Sequence, residues 1–148
     1  MPIEGEYEPA TWSVAADQVE LYESSGGTEG IYQNGAECVV LWTRGRKTGH
    51  VRKSPVIRVK DGDRYAALAS MGGQPENPNW YGNLVADPLV TLQDGPVVRD
   101  YVARTVEGTE REEWWARAVA AWPAYEDYQA RTDRVIPVVV LDPLPEAR

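Results

Sequence analysis

The residues best suited to chemistry in this 148-residue sequence are concentrated in residues 43–55, which read TRGRKTGHVRKSP. This stretch contains five Lys or Arg residues, a Thr hydroxyl directly after Lys47, and no Asp or Glu. Glycines at positions 45 and 49 let backbone N–H groups approach a ligand, and the cationic side chains donate charge-assisted hydrogen bonds to anions. The stretch therefore predicts an anion-binding loop, and a solvated basic hairpin loop without a ligand is the alternative. The predicted donors are Arg46, Lys47, Thr48 and Arg52.

The charge of the chain is distributed unevenly around this loop. The formal net charge is -8, yet residues 38–60 carry seven Lys or Arg and no acid. The rest of the chain has 8 Lys or Arg against 23 Asp or Glu, a local charge of -15. The acidic balance argues against general nucleic-acid binding. Cations packed so closely repel one another, and an anionic ligand would explain their concentration.

Several common kinds of catalytic site are absent from the sequence. Lys47-Thr48 is similar to the end of a phosphate-binding P-loop, but Arg46 and Leu41 stand where that motif requires glycines. The chain has one His and one Cys, which leaves too few soft ligands to predict a zinc site and allows no internal disulfide. No nucleophile–base set is present, so the chemistry of an enzyme built on this chain would come from a cofactor.

Two further stretches could line a cleft. Gly72-Gly73 follows a predicted strand, as if a flat group approached the backbone there, although an ordinary turn explains it equally simply. Trp122, Tyr125 and Tyr128 are spaced by three residues, which would place them on one face if the segment were a single helix. Such an aromatic face is either core packing or the lining of a pocket.

Hydrophobic periodicity and turn residues predict the elements that must position these groups. The predicted strands are too close together for helical crossovers through most of the middle of the chain, which favours an α+β fold with about six mainly antiparallel strands in a barrel or curled sheet. Residues 1–35 are expected to form an N-terminal helix and linker, and residues 36–148 the barrel domain. Helices are predicted at 11–25, 77–88, 109–122 (opened by a Thr109–Glu112 capping box) and 124–133, and strands at 37–43, 52–63 (with Pro55 at an edge or bulge), 64–70, 89–94, 97–107 and, in the centre of the sheet, 135–143.

The order of three blocks, TRGRKTGHVRKSPVI, ALASMGGQPENPNWYGNLVADPLVTL and YEDYQARTDRVIPVVVL, resembles the deazaflavin-dependent nitroreductase family. The resemblance covers about residues 38–143. It implies a split β-barrel fold, like that of flavin-reductase and pyridoxamine-phosphate oxidase domains, and coenzyme F420 as the cofactor. It further implies an oxidoreductase that transfers hydride from reduced F420 to a quinone, an enone or a nitroaromatic acceptor.

The resemblance also implies roles for individual residues. The expected cofactor-binding residues are Arg46, Lys47, Thr48, Arg52, Lys53, Ser54, Pro55, Val56, Ile57, Leu68, Ala69, Ser70, Met71, Asn79, Trp80, Tyr81, Gly82, Asn83 and Tyr125. Tyr125, Tyr128 and Ser70 are the expected catalytic residues, and Trp122, Tyr125 and Tyr128 are expected to contact the substrate. Two positions depart from the family pattern: Met71 stands where relatives often have Lys, and Trp122 where a close relative would have Tyr. The first removes a cation beside the cofactor, and the second narrows the substrate pocket.

Two alternatives remain open from the sequence. One is a split-barrel reductase that uses FMN, or a haem protein, although the single His disfavours haem. The other is a protein that carries F420 without turning it over. The absence of a signal-like N-terminus and of a long apolar run predicts a cytoplasmic protein, peripheral at the inner face of the membrane if the acceptor is a membrane quinone.

Overall fold

A computed structural model of the chain describes residues 3, 5–8, 13–29, 32, 33, 36–70, 73 and 76–144. Within these residues the helices are α1 (Ser13–Ser24), α2 (Asn79–Ala86), α3 (Gly108–Ala121) and α4 (Ala124–Ala130). The strands are β1 (Tyr32–Gln33), β2 (Ala36–Arg44), β3 (Val51–Ile57), β4 (Val59–Asp61), β5 (Arg64–Leu68), β6 (Leu89–Asp94), β7 (Val97–Thr105) and β8 (Val138–Pro143). No helix of the described part is long and apolar enough to cross a membrane.

The strands form one antiparallel sheet with an open seam. Its order is β3-β2-β6-β7-β8-β5-β4, and β1 pairs with the start of β2. The strands at the two ends, β3 and β4, are joined in the chain by Arg58 alone, so the sheet must curl until its ends lie side by side. No ladder joins β3 to β4 in the described part of the chain, and the curled sheet is therefore a split barrel rather than a closed one.

The prediction of one strand over residues 52–63 was wrong. The chain leaves the β2 ladder after Ile57 and enters the β5 ladder at Val59. Arg58 is the last residue that bonds to β2, since its backbone N–H donates to the carbonyl of Glu37 (2.8 Å), and its guanidinium binds Asp94. The strand breaks here because the next residue, Val59, pairs with β5 instead. This break and the two-residue β1 raise the strand number above the predicted six.

Other sequence predictions for the sheet are confirmed. β8 lies between β7 and β5, as its apolar sequence predicted, and is buried on both faces. Val139 and Leu141 point into the barrel, while Val138 and Val140 face the helical layer outside. Pro55 lies on β3, which pairs only with β2 among the described ladders and is therefore an edge strand.

The helices close the barrel and cover its outer faces. Trp80 and Leu84 of α2 belong to the cluster that fills the barrel interior. α3 and α4 cover β5 and β8, and α1 packs Val19 and Tyr22 against β2. The side chains of residues 14 and 15 lie outside the described residues.

The predicted start of α3 needs correction. The helix begins at Gly108 after an N-cap at Glu107, and no side-chain cap bond forms, so the capping box expected at Thr109 is wrong. Thr109 already lies inside the first turn, where its hydroxyl cannot act as the N-cap acceptor. The buried face of the helix is formed by Trp114 and Ala118, and Trp115, Val119 and Trp122 lie at its margin.

Candidate functional site: a cationic pocket at the β2–β3 loop

A pocket of about 160 Å³ lies between the β2–β3 loop and α2. The pocket brings together all four donors predicted from the sequence: three come from the β2–β3 loop, and the fourth, Arg52, comes from β3. Three of its lining residues carry positive charge, and one carries negative charge. The lining consists of Glu8, Gly45, Arg46, Lys47, Thr48, Arg52, Asn79 and Asn83.

The loop is fixed by hydrogen bonds of its own backbone. The N–H of Gly45 donates to the carbonyl of His50 (2.7 Å), and the N–H of Gly49 donates to the carbonyl of Gly45 (2.8 Å). Gly49 has a φ of 76°, a left-handed conformation that glycine adopts without strain. The N–H of His50 also donates to Oγ1 of Thr48 (3.2 Å), which holds that hydroxyl within the loop. The donors are therefore held in place before any ligand arrives.

Arg46 is anchored on α2 rather than extended into solvent. Its Nη1 donates to the carbonyl of Asn79 (3.0 Å) and to Oδ1 of Asn83 (2.8 Å), which also accepts from the backbone N–H of Arg46 (3.2 Å). Asn83 is 5% exposed, and its Nδ2 donates to Oγ1 of Thr43 (3.2 Å). A Cβ atom on Gly82 would lie 2.9 Å from Cζ of Arg46, so the glycine gives the guanidinium room to lie on the helix.

The negative charge in the pocket comes from Glu8, which the sequence analysis did not single out. Its carboxylate pairs with Arg52 and lies 3.2 Å from Nδ1 of His50, while Oγ1 of Thr48 donates to it over 3.5 Å. The hydrogen bond to His50 and the charge of Arg52 lower the pKa of Glu8. The ring of His50 lies between this carboxylate and that of Glu6, whose Oε2 is 3.3 Å from Nε2 of His50.

The ammonium of Lys53 lies outside the pocket. Residues alternate between the two faces of a strand, so Lys53 points away from the face that carries Arg52. Its Nζ pairs with Glu23 of α1 (2.6 Å) and lies 4.1 Å from the ring centroid of Trp42. This side chain therefore fastens α1 to the barrel, and the expected contact of Lys53 with the cofactor stays a prediction.

The predicted aromatic residues come together in a second cluster. Trp122 ends α3 and the two tyrosines lie on α4, so the break between the two predicted helices, 109–122 and 124–133, separates Trp122 from the tyrosines. They are nevertheless adjacent, since Nε1 of Trp122 donates to the hydroxyl of Tyr128 (3.2 Å) and the rings of Tyr125 and Tyr128 lie 6.0 Å apart, edge to face. Tyr125 is 3% exposed, and its burial raises its pKa.

The other predicted site residues lie in the aromatic cluster, in the barrel interior or on β3. Ile57 and Leu68 pack in the aromatic cluster, whereas Trp80 lies in the barrel interior with Val56 and Tyr81 against it. Ser54 and Pro55 lie half-buried on edge strand β3, next to the pocket residue Arg52 in the chain.

The segment after β5 is held by Arg134. Its Nη1 donates to the carbonyl of Ala69 (2.9 Å), and its Nη2 donates to that of Ser70 (2.7 Å). The close approach expected at the glycine pair occurs at Gly73, but to the protein itself: a Cβ atom there would lie 2.6 Å from the carbonyl oxygen of Tyr128. Residues 71 and 72 lie outside the described part of the chain.

Sequence reasoning missed Glu8, Thr43 and the anchoring role of Asn83. Glu8 is 44 residues from Arg52 in the chain, and no short motif links two such positions. Thr43 and Asn83 each look like an ordinary polar residue of a strand or helix. The one sequence feature that pointed to these contacts was the acidic N-terminal region in a chain with a basic loop. It predicts electrostatic attraction between the two segments but does not specify which residues form ion pairs.

The fold and the pocket define this chain as a split-barrel protein with a cationic loop beside α2. At the level of the fold alone, it is similar to a haem-binding protein from Mycobacterium smegmatis (TM-score 0.57, 20% identity, covering 90% of this chain and 51% of that chain). It is likewise similar to a putative pyridoxamine 5'-phosphate oxidase from Listeria innocua (TM-score 0.51, 12% identity, covering 87% and 92%).

Residues 14–143 match the family described as F420H(2)-dependent quinone reductase. The chain belongs to this family. It is 36% identical over 125 residues to an F420H(2)-dependent quinone reductase of Mycobacterium tuberculosis, covering 82% of this chain and 84% of the relative. Among solved structures, it is similar to an F420-H2 dependent reductase (TM-score 0.68, 47% identity, covering 71% and 93%) and to a chain described as a domain-swapped dimer (TM-score 0.71, 43% identity, covering 85% and 95%).

Proposed function

We propose that this chain is an F420-dependent oxidoreductase that holds the anionic tail of the cofactor in the cationic pocket and reduces a quinone. The observation that carries the proposal is the convergence of Arg46, Lys47, Thr48 and Arg52 on one pocket of a chain whose net charge is -8. Family membership supports the cofactor, since the family is described by its dependence on reduced F420.

The residues of the pocket suit a phosphate and a chain of carboxylates. Two guanidinium groups, one ammonium group and one hydroxyl line the pocket, and these are the strongest donors that proteins offer to anionic oxygens. Arg46 is already oriented by Asn79 and Asn83, so little side-chain freedom is lost when it binds an anion. Gly82 also helps to keep Arg46 oriented, because the absence of a Cβ atom leaves room for the guanidinium beside α2.

Reduced F420, when bound, supplies the hydride that reduces the acceptor. The residues of the chain supply binding, orientation and a dry environment. Ile57 and Leu68 extend from the barrel edge into the aromatic cluster, and this apolar surface would shield the reacting groups from water. Burial raises the pKa of Tyr125 further above physiological pH, so its hydroxyl stays protonated and is available as a hydrogen-bond or proton donor.

The acceptor would be a flat, conjugated molecule. Tyr128 and Trp122 lie at the solvent side of the aromatic cluster, where an acceptor could stack against them. A quinone is the acceptor that the family description favours, and an enone or a nitroaromatic compound has the same flat, electron-poor character. The double ring of Trp122 would favour smaller acceptors over bulky ones.

Anaerobic mixing of the purified protein with reduced F420 and menadione tests this proposal. We expect the visible absorbance of oxidised F420 to return at a rate proportional to the protein concentration. Reduced FMN in place of reduced F420 is the matched control, and its reaction with menadione should not accelerate as the protein concentration rises. Tight F420 binding without reduction of any quinone, enone or nitro acceptor would indicate a carrier and refute the proposed reductase.

A further inference from the structure

The N-terminal segment (residues 6–8) lies along the edge strand that carries the pocket. Tyr7 and Val51 form an isolated parallel bridge, outside the main ladders of the sheet. The N–H of Val51 donates to the carbonyl of Glu6 (2.7 Å), and the N–H of Glu8 donates to the carbonyl of Val51 (2.8 Å). These two hydrogen bonds fix the position of Glu8 at the margin of the pocket.

The carboxylate of Glu8 occupies donors that an anionic ligand would need. It pairs with Arg52, accepts a hydrogen bond from Oγ1 of Thr48 (3.5 Å), and lies 3.2 Å from Nδ1 of His50. Arg52 and Thr48 are two of the four donors that the proposed function assigns to the tail of the cofactor. A carboxylate of the protein thus stands where a carboxylate or phosphate of a ligand would stand.

Simultaneous occupation is unfavourable for two reasons. Two negative groups that share the same guanidinium repel each other, and Arg52 and Thr48 have a limited number of donors to offer. Among the described residues, the backbone of residues 6–8 is attached to β3 by two hydrogen bonds at Val51, and side-chain contacts add to them. The segment belongs to none of the described barrel ladders, so it can detach without breaking one. Detachment of Glu8 is therefore the easier way to free the donors.

We infer that Glu8 is an intramolecular competitor for the anionic tail of the ligand, and that tail binding displaces the N-terminal segment from β3. This inference deepens the proposed function and rests on it, because the ligand must use this pocket. Competition of this kind raises the apparent Kd, which equals the intrinsic Kd divided by the fraction of molecules in which the pocket is free. It would also favour long, multiply charged tails over single carboxylates, since only the former out-compete an attached carboxylate.

The test compares Glu8→Gln with Glu6→Gln. Both substitutions remove one negative charge from the same segment, but Glu6 contacts His50 rather than Arg52 or Thr48. Titration of F420 followed by Trp fluorescence should show Kd lower by about three- to tenfold in Glu8→Gln. Glu6→Gln should show a smaller decrease, which salt abolishes. The deazaflavin core without its tail should bind equally to all three proteins.

Amide hydrogen exchange supplies a readout that does not depend on activity. Saturation with F420 should accelerate exchange at Glu8 and at Val51, whose amides hold the segment to β3. Unchanged or slower exchange there, or a Glu8→Gln protein that binds F420 no more tightly than Glu6→Gln, would overturn the inference. Failure of the wild-type protein to bind F420 at all would instead refute the proposed function, so the two failures are distinguishable.

Discussion

Gly82→Ala tests whether the orientation of Arg46 on α2 matters for ligand binding. An added Cβ would lie 2.9 Å from both Cζ and Nη1 of Arg46 and 3.1 Å from Nε, closer than side chains tolerate. The flexible guanidinium would move away and lose its hydrogen bonds to Asn79 and Asn83. A hydrogen bond to a charged group contributes about 1.5–3 kcal/mol, so a displaced Arg46 should raise the Kd for F420 by roughly tenfold or more.

The same substitution has two opposing effects on the free energy of unfolding, because Arg46 loses hydrogen bonds to α2 while the helix gains intrinsic propensity. Gly82 lies inside α2, where Ala is favoured over Gly by about 1 kcal/mol, and the displaced group is the end of a long side chain. Thermal unfolding measures their net effect on stability, and Trp-fluorescence titration with F420 measures the effect on binding separately. Val85→Ala is the matched control, because Val85 lies on the same helix and is 62% exposed. A Gly82→Ala protein that binds F420 as tightly as the wild type would refute the role assigned to Arg46.

Three further predictions concern the pocket, the aromatic cluster and the barrel surface. Lys47→Gln should raise the Kd for F420 by about two- to fivefold at low salt and by less at high salt. Lys60→Gln removes an exposed cation outside the pocket and should leave the Kd unchanged. Equal effects of the two substitutions would contradict the assignment of the pocket. Tyr125→Phe should lower kcat by about 10²-fold in the menadione assay with the Kd for F420 unchanged, and unaltered kcat would exclude this hydroxyl as a proton donor. Hydrogen bonding by Arg104 lowers the pKa of Asp142 from 3.8, so its contribution to stability is present above that pH and is lost as the pH falls through the lower folded-state value. Asp142→Asn should therefore unfold at a lower urea concentration than the wild type at neutral pH, with the difference shrinking near pH 2; a difference independent of pH would refute this linkage.

Local patterns made the hairpin and its loop predictable. The apolar run of β2, the glycines of the loop and the DG turn at residues 61–62 each act over a few residues, and the structure has these elements in the predicted order. The concentration of cations in the loop predicted where donors would gather, because a tight hairpin keeps neighbouring residues close. The central position of β8 followed from its unbroken apolar sequence, which suits a strand buried on both faces.

The remaining features depend on contacts between distant parts of the chain. The switch at Arg58 arises because β3 and β4 pair with different strands, and no residue near position 58 marks that change. The position of Lys53 directly after Arg52 in the chain does not show that its ammonium lies on the other face of β3, where it pairs with Glu23. The contact of Glu8 with Arg52 requires the N-terminal segment to return to β3, which its own sequence does not specify.

The structure of the protein in complex with F420 tests the central claim most directly. We predict that the phosphate and carboxylate oxygens of the tail lie within about 2.7–3.2 Å of donors on Arg46, Lys47 and Arg52. We further predict that the deazaflavin ring lies between the barrel edge at Ile57 and the aromatic cluster of Tyr125. A complex in which the tail lies elsewhere, with the cationic pocket still filled by Glu8, would contradict the account.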